Sequence, residues 1–343
     1  MKKLLSLAAL VLLQQFADAP AVFAEASAAQ AAGRAKPPPL APSEIVAAAP
    51  KGDWNAIPAS DLLVMDLAPD TKGRARRVVI QLMPPPFSQG WIGNIRKLAA
   101  GHWWDGMSIN RVQDNYVVQW GDPNADDKLK AKALPAGLAT MAQSEYEVES
   151  VMTVYPHNVK SKNMVIEPDI TLAHPGDAYA PATGFYRGWP AGGIPFSTTH
   201  NAEVSWPVHC YGMVGVGRDL SPNTGSGAEL YTVIGHAPRH LDRNIALVGR
   251  VIEGIEFLSS LPRGHGALGF YDLAQGDERV TITSIRPGAE VTGLPSYEYL
   301  STESASFAKY ADARANRRDP FFILPAGGAD ICNIPVPLRR VKN

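Results

Sequence analysis

Two polar side chains interrupt two neighbouring apolar segments of the chain. Arg111 lies within residues 107–112, and Gln119 lies within residues 116–120. A polar residue in an otherwise apolar strand needs a physical reason. One reason is that both side chains face solvent from the outer side of a half-exposed sheet. The other is that they form a site, because a guanidinium stays charged and presents preorganised planar donors.

Motifs for other kinds of catalysis are missing from the sequence. It contains neither a Gly-x-Ser-x-Gly nucleophile elbow nor a Gly-x-x-x-x-Gly-Lys phosphate loop, and Gly215-Val216-Gly217 lacks the third glycine of a dinucleotide loop. His236 and His240 have the spacing of a two-histidine zinc site, but Pro238 lies between them and no Glu follows His236. We therefore predict no metal and no cofactor. A hydrolase using His209 or His236 lacks a partnered nucleophile.

The elements that would position Arg111 and Gln119 are short strands. Apolar or alternating segments predict strands at residues 61–67, 77–83, 107–112, 116–120, 230–234, 246–252 and 279–285. Apolar residues at helical spacing predict one amphipathic helix after Ser88, and a second helix is predicted at residues 253–261. Many short strands with two helices predict a mainly β protein, a closed barrel capped at its ends.

Composition and charge narrow the possible partners. Of the 343 residues, 32 are basic and 33 acidic, which gives a net charge of -1, so neither nucleic acid nor an anionic membrane surface is favoured. The chain has 29 Pro and 30 Gly, which favours turns and strands over helix bundles. The 45% of hydrophobic residues suffices for a sizeable core.

The N-terminal residues have the pattern of a secretory signal peptide. Lys2 and Lys3 precede an apolar run at residues 4–13, and Val22-Phe23-Ala24 provides small residues before Glu25. The run is shorter than the roughly 20 residues that cross a bilayer. We therefore predict a signal peptide at residues 1–24, a mature protein without membrane insertion, and a location in the periplasm or outside the cell.

Two cysteines, Cys210 and Cys332, lie in the part predicted to be exported. An oxidising compartment permits a disulfide between them. Two cysteines this far apart are also often small buried apolar residues. The sequence leaves both possibilities open.

An ordered set of motifs surrounds Arg111 and Gln119. These are Asn94-Ile95, Trp104-Asp105-Gly106, Ser108-Ile109-Asn110-Arg111-Val112 and Tyr116-Val117-Val118-Gln119-Trp120-Gly121-Asp122, followed by Gly212 to Gly217, Glu229-Leu230-Tyr231, His240-Leu241-Asp242 and Val248 to Val251. In this order they resemble the cyclophilin family over residues 75–286. The resemblance implies an eight-stranded antiparallel β-barrel with long loop insertions.

The resemblance also implies roles for individual residues. Arg111 would be the catalytic guanidinium, Gln119 would bind the substrate backbone, and Gly217 would touch the peptide. The proline pocket would be lined by Tyr116, Val117, Tyr231 and Leu241, with His240 where many relatives have Trp. Asn110, Trp120 and Ile245 also depart from the family pattern. Trp120 either narrows the groove beside Gln119 or points away from it.

The implied activity is peptidyl-prolyl cis-trans isomerisation of proline-containing unfolded or exported polypeptides. The alternative is a chaperone or scaffold with the same fold and little isomerase activity. The predicted organisation is an Ala/Pro-rich linker at residues 25–59, a barrel domain at 60–286 with an insertion at about 124–206, and a C-terminal extension of unknown role at 287–343.

Overall fold

Helices and strands are assigned in a computed structural model that describes residues 38–149, 171–172, 177–194, 204–272, 274 and 278–341. Its helices are α1 (Pro42–Ala47), α2 (Gln89–Ala100), α3 (Glu256–Ser259) and α4 (Ala305–Ala315). Its strands are β1 (Trp54–Ile57), β2 (Leu62–Leu67), β3 (Arg76–Leu82), β4 (Ser108–Val112), β5 (Val117–Gly121), β6 (Val148–Glu149), β7 (Thr171–Leu172), β8 (Ala182–Tyr186), β9 (Trp189–Ile194), β10 (Val204–Pro207), β11 (Met213–Val216), β12 (Leu230–Val233), β13 (Leu247–Glu253), β14 (Val280–Pro287), β15 (Tyr297–Leu300) and β16 (Leu338–Arg340).

Eight antiparallel strands form a closed barrel in the order β11-β12-β5-β4-β14-β2-β3-β13. Alternation along the strands sends one set of side chains inward. In β3, for example, Val78 and Ile80 belong to the main core, whereas Val79 belongs to a separate apolar cluster with Ile57 and Tyr297. The predicted closed barrel of a mainly β protein is confirmed.

Both predicted helices are present. α2 buries Trp91, Ile92, Ile95 and Leu98, as its amphipathic pattern predicts. The second helix is shorter than predicted, because β13 continues through Glu253 and α3 covers only Glu256–Ser259. Within the described residues no helix is both long and apolar enough to cross a membrane.

The segment predicted as an irregular insertion contributes strands to a second sheet, in the order β6-β10-β9-β8-β7. Arg250 of β13 joins this sheet to the barrel. Its Nη1 donates to the Gly188 carbonyl oxygen at 2.7 Å, its Nε donates to Gln81 at 2.9 Å, and its guanidinium lies 4.4 Å from the Trp189 ring centre. Burial lowers the pKa of Arg250 to about 10.

Within the predicted linker, residues 42–47 form α1 and residues 54–57 form β1. β1 pairs with β15, with Trp54 opposite Leu300, and β15 pairs with β16 in a three-stranded sheet. Local Ala and Pro density gave the linker prediction, but Trp54 and Ile57 are buried by a partner strand far along the chain. The predicted signal peptide and the linker up to residue 37 lie outside the described residues.

The C-terminal extension is joined to the barrel by a disulfide between Cys210 and Cys332. Their Cα atoms lie 5.1 Å apart across a sequence separation of 122 residues. Cys210 precedes β11, and Cys332 lies in the extension. Of the two possibilities left open by the sequence, a disulfide or two separate buried cysteines, the structure has the disulfide.

Candidate active site

Arg111 and Gln119 lie on adjacent strands and face outward from the barrel. A β-bulge in β4 lies between Ile109 and Arg111, so that Ile109 pairs with Trp120 and Arg111 pairs with Gln119. Residues two apart in a regular strand share a face, and the extra residue of a bulge reverses this. Ile109 therefore points into the core, while Arg111 joins Gln119 on the outer face.

Arg111 is held by hydrogen bonds from three of its nitrogens. Nη1 donates to Gln119 Oε1 at 3.0 Å, Nε donates to the Leu268 carbonyl oxygen at 2.6 Å, and Nη2 donates to Gln113 Oε1. Its guanidinium also lies 5.5 Å from the ring centres of both Tyr116 and Phe270. Partial burial lowers the pKa of Arg111, which as an arginine remains charged at neutral pH. The guanidinium is thus fixed in place and half-buried.

An apolar cluster lies beside Arg111 on the outer face of β5 and β12. It contains Val117, Tyr231 and Val233, with Tyr116 and Ile245 packed against them, and we call these five residues the outer apolar cluster. Tyr231 pairs with Gln119 in the β12–β5 register. Three of the residues predicted to line a pocket, Tyr116, Val117 and Tyr231, are thereby brought together next to the guanidinium.

The last two residues predicted for that pocket lie in a 3-10 turn. The exposed His240 ring is stacked near Tyr116, with a centroid distance of 6.5 Å. Leu241 is half-buried in the same turn and is not part of the outer apolar cluster. The structure therefore brings His240 to the rim of the cluster and leaves Leu241 outside it.

Two of the departures from the family pattern have structural explanations. Trp120 is fully buried in the main core, on the opposite face of β5 from Gln119, and so does not narrow the groove. Asn110 is the extra residue of the bulge. Its Nδ2 donates to the Gly121 carbonyl oxygen at 3.2 Å, and its Oδ1 accepts from Ser108 at 2.6 Å.

Glu229 is a site residue for which the sequence analysis assigns no role. Gln119 Nε2 donates to Glu229 Oε1 at 2.6 Å. A Cβ on Gly217 would lie 2.8 Å from Glu229 Cγ, so the glycine leaves room for this side chain. Burial is the main cause that raises the pKa of Glu229. A sequence signal was available, since Glu229 lies between the apolar residues Ala228 and Leu230.

These side chains open onto a groove of about 910 Å³. Arg111, Gln119, Gly217, Glu229 and Phe270 all line it. Leu268 and Phe270, which contact Arg111, come from the loop that follows α3, and sequence reasoning assigned this loop no role. An extended peptide placed along the groove would meet hydrogen-bond donors at Arg111 and Gln119. The outer apolar cluster lies next to the same two residues.

A buried polar network supports the outer apolar cluster from behind. Tyr231 Oη donates to His209 Nε2 at 2.9 Å, and His209 Nδ1 donates to Asp242 Oδ1 at 2.8 Å. Asp242 also accepts from Arg239, which binds Asp177 through two further hydrogen bonds. Burial lowers the pKa of His209, consistent with a neutral ring that accepts from the tyrosine. His209 has no exposed surface, so it cannot serve a hydrolase at the surface.

We expect Tyr231→Phe to destabilise the fold by about 1 to 3 kcal/mol, because it leaves the buried His209 Nε2 without its donor. Chemical denaturation of the variant and the wild type measures this difference. Tyr116→Phe is the matched control, because Tyr116 is half-buried and keeps the ring that lies 5.5 Å from the Arg111 guanidinium. Equal free energies of unfolding for Tyr231→Phe and the wild type would contradict the role of this hydrogen bond.

Within the described part of the chain, no three His, Cys, Asp or Glu side chains gather closely enough to hold a metal ion.

Comparison with known proteins gives one family and several similar structures. The model of the family described as cyclophilin type peptidyl-prolyl cis-trans isomerase/CLD matches residues 77–286. The crystal structure of the cyclophilin AquaCyp293 from Hirschia baltica is similar, with a TM-score of 0.59 and 21% identity over 84% of this chain and 93% of that chain. A cyclophilin type peptidyl-prolyl cis-trans isomerase from Cryptosporidium parvum gives a TM-score of 0.36 and 12% identity over 66% of this chain and 96% of that chain. No curated protein matches the sequence.

Proposed function

Because the chain belongs to the cyclophilin-type peptidyl-prolyl cis-trans isomerase family, we propose that it accelerates rotation about Xaa-Pro bonds, with Arg111 as the catalytic residue. The observation that carries the proposal is the position of the Arg111 guanidinium. It is hydrogen-bonded to Gln119 and adjoins both the groove and the outer apolar cluster. These features suit a proline-containing peptide.

The chemistry of this reaction explains why a site without a nucleophile suffices. An Xaa-Pro bond rotates slowly because its amide has partial double-bond character, with a barrier of about 20 kcal/mol. In the twisted state resonance is lost, and the prolyl nitrogen becomes a pyramidal hydrogen-bond acceptor. A group that binds this nitrogen only in the twisted state lowers the barrier by differential binding of the transition state.

Arg111 has the donors for this task. Its hydrogen bonds to Leu268, Gln119 and Gln113 use one N–H group on each guanidinium nitrogen, so Nη1 and Nη2 each keep a second N–H group. The donors that remain would bind the prolyl nitrogen as it pyramidalises. Because Arg111 is already fixed by its neighbours, little reorganisation is needed when the amide twists.

The neighbours of Arg111 would hold the rest of the peptide. Tyr116 and Ile245, the half-buried members of the outer apolar cluster, would face the proline ring, while Val117 and Tyr231 are buried in the same cluster. A dry surface strengthens the hydrogen bond that Arg111 makes. Gln119 has a second N–H on Nε2, beyond the one bonded to Glu229, to donate to a peptide carbonyl.

We propose that the substrates are unfolded or exported polypeptides that contain proline, and that the protein acts in the periplasm or outside the cell. Two features support this location. The sequence begins with the pattern of a signal peptide, and Cys210 and Cys332 form a disulfide, which persists mainly in oxidising compartments.

A second candidate function, holding unfolded polypeptides as a chaperone or scaffold, is favoured by one exposed loop. Phe321, Ile323 and Leu324 are 84%, 101% and 81% exposed in the C-terminal extension. Exposed apolar side chains in a row often mark an interaction surface. The residues that line the groove beside Arg111 do not include these three.

A proline-isomerisation assay and an aggregation-suppression assay, run on the same preparation, separate the two functions. We expect catalysed isomerisation of a short proline peptide at enzyme concentrations well below that of the peptide. Aggregation suppression without any catalysis of isomerisation would favour the holding function instead.

A further inference from the structure

Arg111 on one side and Glu229 on the other fix the direction in which the Gln119 side-chain amide points. An amide can point either its oxygen or its nitrogen toward a neighbour. Arg111 offers only donors and binds the amide oxygen at 3.0 Å, whereas an ionised Glu229 offers only acceptors and binds the amide nitrogen at 2.6 Å. With the opposite orientation, two donors would face each other at Arg111 and two acceptors at Glu229.

The packing around Glu229 shows that the side chain is built into the site. A Cβ on Gly121 would lie 3.3 Å from Glu229 Cα, and a Cβ on Gly217 would lie 2.8 Å from Glu229 Cγ. Side chains at both positions would therefore compete with Glu229 for space. The glutamate side chain also lines the groove together with Arg111 and Gln119.

We propose that Glu229 is a positioning residue of the isomerase site. Its carboxylate holds the Gln119 amide so that the oxygen braces Arg111 and the second N–H of the nitrogen donates to a carbonyl of the bound peptide. This inference rests on the proposed isomerase function and adds to it a residue that acts through Gln119 on both the guanidinium and the substrate.

The charge of Glu229 should make this arrangement depend on pH. Burial raises the pKa of Glu229, and the carboxylates of Asp126 and Asp219 raise it further, whereas the hydrogen bond from Gln119 and the charge of Arg111 lower it. The net shift is upward, so Glu229 becomes neutral at a higher pH than an ordinary glutamate. As pH falls through this raised pKa, the charge-assisted hydrogen bond weakens.

Three other charged side chains along the groove, those of Arg218, Lys132 and Asp122, have partners of their own. Arg218 donates to the carbonyl oxygens of Asn244 and Asp219, and the Lys132 ammonium donates to the Trp103 carbonyl oxygen. Asp122 accepts from two backbone N–H groups. Among the described residues, Glu229 is the carboxylate that accepts a hydrogen bond from the Arg111–Gln119 pair.

The first test reads the Gln119 side-chain amide directly and requires no activity. In nitrogen-15 NMR spectra, we expect the Gln119 Nε2–H resonances of the wild type to shift as Glu229 titrates, at a higher pH than an ordinary glutamate would. In Glu229→Gln this titration should disappear while the protein stays folded. A Gln119 amide that titrates identically in both proteins would overturn the proposal, whether or not the protein is an isomerase.

The second test uses steady-state kinetics. We expect Glu229→Met to raise KM for a proline peptide about tenfold with less than a threefold change in kcat. Glu229→Gln, which keeps an acceptor oxygen, should keep KM within about threefold and lose the acid limb of the kcat/KM profile. Glu147→Gln is the matched control, because it removes a partly buried glutamate that pairs with Arg243 away from the groove. An unchanged KM in Glu229→Met would contradict the positioning role.

Failure of the proposed isomerase function and failure of the proposed role of Glu229 would give different results. A wild type that does not catalyse isomerisation contradicts the proposed function, and the NMR titration then still decides whether Glu229 orients Gln119. An active wild type whose pH profile is unchanged in Glu229→Gln contradicts only the role of Glu229.

Discussion

We expect Arg111→Ala to lower kcat/KM for a proline peptide by about two to three powers of ten, which corresponds to about 3 to 4 kcal/mol of transition-state stabilisation. The guanidinium is the group that would contact the prolyl nitrogen as the amide twists, so its loss should lower kcat more than it weakens substrate binding. Arg111→Lys should restore little activity, because a point charge lacks the planar donors that bind Leu268, Gln113 and Gln119 together.

Thermal unfolding must accompany this measurement, because Arg111 also holds the loop after α3 through the Leu268 carbonyl oxygen. Arg96→Ala is the matched control: it removes an arginine of α2 that pairs with Asp61 at 3.0 Å away from the groove. We expect that control to keep full activity. Full activity in Arg111→Ala at an unchanged melting temperature would show that the active-site assignment is wrong.

The second large effect concerns stability. We expect the double variant Cys210→Ala and Cys332→Ala to lose about 2 to 5 kcal/mol of unfolding free energy. The disulfide closes a loop with a sequence separation of 122 residues, so its removal gives the unfolded chain considerable freedom. Denaturation of the wild type with and without a reducing agent, beside the double variant, measures the effect.

The double variant also serves as the control for that experiment. A reducing agent should lower the stability of the wild type to that of the variant and leave the variant unchanged. Cysteines that react with a thiol reagent in the folded, non-reduced wild type would contradict the disulfide. A fully reduced wild type with undiminished stability would contradict its structural importance.

Local patterning predicted the barrel well, because its strands carry their own signal. The predicted segment at residues 77–83 corresponds to β3, where alternate residues such as Val78 and Ile80 fill the core. β1 could not be found this way, since its burial depends on β15, more than two hundred residues further along. The second sheet was missed for a different reason. Its strands carry Pro and Gly, as in the WPAGGI sequence of β9, and this composition locally favours turns.

For the site, the sequence identified the residues but not how they are brought together. Arg111 and Gln119 stood out as polar residues in apolar strands, and the outer face was one of the two explanations considered. The bulge that turns Arg111 to that face is a feature of the β4–β5 pairing and leaves no local composition signal. Glu229 and Phe270 approach Arg111 and Gln119 from later parts of the chain. Their role therefore follows from tertiary packing.

The central claim is that this protein catalyses rotation about Xaa-Pro bonds, and exchange NMR on a short Ala-Pro peptide tests it most directly. The cis and trans forms of the peptide give separate NMR signals. Without a catalyst the two forms interconvert too slowly to give exchange peaks between these signals. With the wild type present at about one hundredth of the peptide concentration, we predict exchange peaks between the two forms, and we predict that Arg111→Ala at the same concentration gives none. If folded wild type gives no exchange peaks at any tested concentration, whichever residue precedes proline, the claim that this protein catalyses Xaa-Pro rotation is contradicted.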